Sequence, residues 1–108
     1  MTSTDFDEVV EHRIERIKTI LSSKAEEYAK GGDRLHNFNL AAQITGKTRE
    51  EVLWGMAMKH LVSIIDIVEG TQYGIYPTKE IAEEKIGDMV SYLILLEASL
   101  NNKRNNKT

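Results

Sequence analysis

The chain has 108 residues, of which 41% are hydrophobic, with 17 acidic and 14 basic side chains and a net charge of −3. That length holds one domain with a modest core, and a pI near 5.6 excludes long-range attraction to nucleic-acid phosphates or an anionic membrane. Cysteine is absent, which excludes a disulfide framework and thiolate metal sites and fits a reducing compartment.

The acidic opening MTSTDFDEVVEHR lacks the continuous apolar stretch of a secretory leader. The longest near-apolar run, Met89 to Leu96, is too short to span a bilayer. The expected location is the cytoplasm.

Taken in chain order, Val10, Ile14, Ile17, Leu21, Ala25 and Tyr28 recur at spacings of three and four. They predict a first helix over about 5–30 with one narrow apolar stripe. Thr4 is its candidate N-cap, with Asp7 three residues on, and Gly31-Gly32 ends it. A short second helix is expected over 35–45, between Asp33 and Gly46. Thr48-Arg49-Glu50-Glu51 reads as a capping box that opens a third helix running to Glu69. The loop 70–78 carries Gly74 and Pro77, the one proline. A fourth helix is expected from Lys79 to about Leu100, with Ala82, Ile86, Met89, Leu93, Leu96 and Leu100 along one face. No strand pattern competes. The expected organisation is a single all-α domain over 1–100 with a disordered polar tail over 101–108, where Lys103, Arg104 and Lys107 sit among asparagines.

The third helix is apolar in nearly every direction between Val52 and Val68. Such a helix is expected to be buried on most sides. In so small a chain this needs neighbours on both flanks, and so a partner subunit. The polar residues left in it are Lys59, His60, Ser63 and Asp66. Lys59, Ser63 and Asp66 share a face by spacing. On the fourth helix Glu84, Asp88 and Ser91 share another, which turns apolar further along, as the wall of a half-buried cleft would.

These residues have two readings. In one, Lys59, Asp66 and Asp88 form an ion-pair network that fixes helix packing. In the other they line a pocket where Lys59 meets a phosphate and Asp66, Glu84 and Asp88 hold Mg²⁺, which takes hard oxygen ligands. His60 is either a satisfied core histidine or a second phosphate donor. The segment Arg34-Leu35-His36-Asn37-Phe38-Asn39 is denser in hydrogen-bonding side chains than a plain connection needs. Arg34, His36 and Asn37 around Phe38 suit phosphate contacts and a stacked base. The candidate nucleotide-binding set is therefore Arg34, His36, Asn37, Phe38, Lys59, His60 and Ser63. No nucleophile elbow and no glycine-rich phosphate loop is present.

The order Ala25-Glu26-Glu27-Tyr28, Arg34-Leu35-His36-Asn37-Phe38, Lys59-His60-Leu61 with Asp66, and Glu84-Lys85-Ile86-Gly87-Asp88 with Tyr92 resembles the small MazG-like proteins common in phage genomes. These are distant relatives of the all-α nucleoside triphosphate pyrophosphohydrolases. The resemblance spans about residues 24–98. It implies a four-helix bundle with one short helix, completed by oligomerisation, and Mg²⁺-dependent release of pyrophosphate from a nucleotide. Glu84, Gly87 and Asp88 look like that family's second metal-binding element. The partner helix departs from the family's Glu-Glu-x-x-Glu cluster, reading Lys59-His60-Leu61-Val62-Ser63 and offering only Asp66, and Lys85 stands where a second glutamate is expected. Three readings follow: a nucleotide pyrophosphohydrolase, a non-catalytic sponge that sequesters a linear or cyclic nucleotide signal, or a structural helical adaptor.

Overall fold

The computed structural model describes residues 1–28 and 32–105, with side chains over 1–21 and 32–102. Its elements are α1 (Ser3–Tyr28), α2 (His36–Thr45), α3 (Arg49–Gly70), a 3₁₀ turn (Thr71–Tyr73) and α4 (Lys79–Asn105). Among the described residues there is no strand. The protein is all-α, and the four helices fall close to the predicted spans. The C-terminal helix continues past Leu100 to Asn105, so the first residues of the expected tail are helical, while 106–108 lie outside the described residues.

The chain divides into two compact units, Met1–His36 and Asn37–Thr108. In the first, α1 opens two residues earlier than expected. The Asp5 N–H donates to the Thr2 hydroxyl at 3.0 Å, and the Thr2 N–H donates to the Asp5 carboxylate at 3.1 Å. The same Thr-x-x-Asp pattern occurs at Thr2–Asp5 and at Thr4–Asp7; the earlier copy caps and adds half a turn. Phe6, Val10 and Ile14 are exposed along α1. The expected stop at Gly31 lies outside the described residues. After it Gly32 adopts φ 82°, and the Asp33 carboxylate accepts the Leu35 N–H at 2.9 Å, an Asx turn into α2.

In the second unit, α2 ends in a Schellman-type closure: Gly46 has φ 69° and the Lys47 N–H donates to the Ala42 carbonyl at 3.1 Å. Only glycine takes that left-handed step without strain. The capping box at α3 forms as read. The Glu51 N–H donates to the Thr48 hydroxyl and the Thr48 N–H to the Glu51 carboxylate, both at 3.0 Å. Gly74 (φ 74°) turns the chain after the 3₁₀ segment, and the Thr78 hydroxyl accepts the Ile81 N–H at 3.2 Å to start α4.

Helices α3 and α4 pack against each other. Arg49 meets Ser99 and His60 meets Asp88, so the two run antiparallel. Among the described residues, those buried on this pair are Arg49, Leu53 and Ala57 on α3 and Gly87, Ser91 and Ser99 on α4, four of the six of them small. Small side chains let the helix axes approach closely.

Within one chain, Trp54, Met58, Val62, Ile65 and Val68 of α3 are exposed, the side on which the expected partner subunit would have to lie. On α4, Ile86, Leu93 and Leu100 of the apolar stripe are exposed, while Gly87, Ser91 and Ser99 are buried. Periodicity identifies a stripe. It does not say which side a neighbour takes.

Candidate functional site

Two polar clusters join elements of the second unit. The first is built on Arg49, only 7% exposed. Its Nε donates to Ser99 Oγ at 2.6 Å and its Nη2 to the Ser99 carbonyl at 3.1 Å. Nη1 donates to Asn39 Oδ1 at 3.0 Å and Nη2 to Asn102 Oδ1 at 3.2 Å. The Glu50 carboxylate lies 3.6 Å from Nε and also accepts from the Ser99 hydroxyl. A buried guanidinium needs its donors filled and its charge matched; here both conditions are met from α2, α3 and α4. Among the described residues no buried side-chain polar atom lacks a partner. The cluster is closed, and its role is to hold three helices in register.

The second cluster is open. His60 Nδ1 on α3 stands 3.7 Å from Asp88 Oδ2 on α4, with the two side chains 26% and 34% exposed. That distance is a charge contact, longer than a hydrogen bond. The Tyr92 ring, one turn beyond Asp88, stacks on the imidazole with centroids 5.0 Å apart and planes 25° from parallel. The Asp88 carboxylate lies on the Nδ1 side of the ring, and an imidazole can both donate and accept hydrogen bonds. A half-exposed imidazole held by a carboxylate and an aromatic face can neutralise phosphate charge or take up a proton.

The remaining candidates are placed as follows. Arg34 and Asn37 are exposed, and His36 is half-buried at the first residue of α2. Phe38 is buried at 4% exposure, so its ring is part of the core and its faces are in contact with protein. Lys59 and Asp66 are exposed and Ser63 is half-buried. The Ser63 hydroxyl donates back to the Lys59 carbonyl at 3.3 Å. Glu84 is exposed, while Asp88 is turned to His60. Among the described residues no group of three His, Cys, Asp or Glu side chains converges on a possible metal position. The trio Asp66, Glu84 and Asp88 therefore does not fit a Mg²⁺ centre within one chain, which needs several oxygens at short range.

Sequence reasoning passed over Arg49, Ser99 and Asn102. Arg49 and Glu50 are ordinary first-turn residues of a capped helix, and a serine near a helix end carries no mark of burial. The Tyr92–His60 stack had a partial signal, since Tyr92 follows Asp88 by four residues and so shares its helix face. No helix among the described residues is long and apolar enough to cross a membrane. No family model matches the chain, and neither a curated protein nor a solved structure shows a significant match to it.

Proposed function

We propose that the protein is a cytoplasmic, self-associating nucleotide-binding protein whose ligand site is centred on His60, Asp88 and Tyr92. The observation that carries this reading is the half-buried imidazole of His60, set beside the Asp88 carboxylate and stacked on the Tyr92 ring. Unlike the closed Arg49 cluster in the same seam, this trio is open to solvent. An imidazole with one nitrogen committed toward Asp88 presents the other to a phosphate oxygen, and Tyr92 extends an aromatic surface suited to a base.

Retention without cleavage, as in a sponge for a linear or cyclic nucleotide signal, is the form this geometry favours. The MazG-like hydrolytic alternative rests on Glu84, Gly87 and Asp88, the element that resembles the pyrophosphohydrolases. Mg²⁺ would supply a Lewis acid and an activated water there, but it would need oxygens beyond those that one chain brings together.

The test is incubation of the whole chain with a panel of linear and cyclic nucleotides, with and without Mg²⁺, followed by mass spectrometry of the bound and released fractions. Intact nucleotide retained without Mg²⁺ is expected. Monophosphate and pyrophosphate appearing only with Mg²⁺ would select the hydrolase instead. A panel neither retained nor consumed would leave the structural adaptor and end the nucleotide reading.

A further inference from the structure

We infer that the exposed face of α3 is the surface on which a second copy of this chain docks, antiparallel, about a two-fold axis near Val62. This rests on the self-association proposed above and names its interface.

Trp54, Met58, Val62, Ile65 and Val68 are between 39% and 60% exposed. Their spacing places them on one side of the helix, over a length of about 21 Å. Five large apolar side chains in one stripe are more than a solvated helix face carries.

The charges along the same face select the occupant. Lys59 and Asp66 lie seven residues apart, about 20° from each other around the axis. They sit on either side of Val62 in sequence, at the edge of the stripe. Both are exposed, and neither makes an ion pair among the described residues. A face with a cation before its midpoint and an anion after it is complementary to itself when reversed. A two-fold axis between Val62 and Ser63 sets Lys59 of each copy opposite Asp66 of the other, twice. That is the reciprocal pairing an isologous dimer requires. Gly55 adds an independent mark. It is exposed in mid-helix, where glycine weakens a helix, and a Cβ built on it meets nothing within 4 Å in its own chain. Close approach by another backbone gives that glycine a use.

The experiment is sedimentation equilibrium on the whole chain and on Lys59→Asp, Asp66→Lys and the Lys59→Asp/Asp66→Lys double variant, with helix content checked by circular dichroism. All the substituted side chains are exposed, so the fold is unaffected. The wild type is expected at about twice 12.3 kDa. Each single swap should weaken association about tenfold or more, and the double swap should restore it to within about threefold, because only then do opposite charges face each other again. A dimer indifferent to the swaps, or a double variant weaker than either single one, overturns this interface while leaving self-association standing. A monomeric wild type overturns both and assigns the stripe to another segment of the chain or to a different protein.

Discussion

Arg49 shows how much a single side chain can hold. Its guanidinium reaches Ser99, Asn39 and Asn102 and lies beside Glu50, so truncation removes hydrogen bonds to α2 and α4 and leaves the part-buried Glu50 carboxylate without its counter-charge. Arg49→Ala should lower the free energy of unfolding by about 3 kcal/mol, measured by urea denaturation. Arg49→Lys should recover only a small part of that, because a single ammonium cannot fill a planar five-donor arrangement. Loss of less than about 1 kcal/mol in the alanine variant would mean that water replaces the network. None of this was legible in the sequence. What distinguishes Arg49 from the surface arginines is the position of Ser99 fifty residues away, and no local pattern encodes that contact.

At the scale of the element, local chemistry was legible wherever the signal is itself local. The capping box at Thr48–Glu51, the left-handed glycine at Gly46 and the turn at Gly74 all stand where the residues place them. The start of α1 slipped by two residues because the pattern Thr-x-x-Asp is written twice in succession. The α3 cap also carries a pH dependence. The backbone N–H of Thr48 holds the Glu51 carboxyl below the ordinary glutamate range, helped by the Thr48 side chain and by the charge of Lys47, against a weak opposing effect of desolvation. Because the folded form is the stronger acid, its stabilising effect is present at neutral pH. It is lost as pH falls from the ordinary glutamate range through the lowered value. Thermal unfolding of wild type and Glu51→Gln between pH 7 and about 2.5 should show the wild type losing its small advantage as the pH drops. A gap between the two that stays constant across that range would contradict the cap's charge. What the periodicity could not decide is which face of α3 and α4 meets the other. Both helices carry more apolar surface than one neighbour can cover, and the contact went to the small side chains Ala57, Gly87, Ser91 and Ser99.

At the scale of the whole molecule, the sequence reading of an all-α chain holds among the described residues. Helix α3 leaves Trp54, Met58, Val62, Ile65 and Val68 in water, and this is the stripe on which the proposed second copy would dock. The candidate site was legible in part for a physical reason. A polar residue in an apolar helix is conspicuous in sequence, so Lys59, His60 and Asp66 were all singled out, but the direction of each side chain depends on the neighbouring helix. His60 turns inward to Asp88 and Tyr92. Lys59 and Asp66 face solvent. The grouping of Asp66 with Glu84 and Asp88 therefore separates, within the described residues of one chain, into one contact at the seam and two exposed carboxylates.

The most direct test of a ligand site at His60 is histidine-selective NMR during titration with the nucleotide panel. The chain has three histidines, His12, His36 and His60, so their resonances can be assigned with the His60→Gln and His12→Gln variants. The account predicts that the His60 ring signals shift and saturate with ligand while those of His12 on α1 stay in place. A saturable nucleotide complex in which the His60 signals do not move would contradict it.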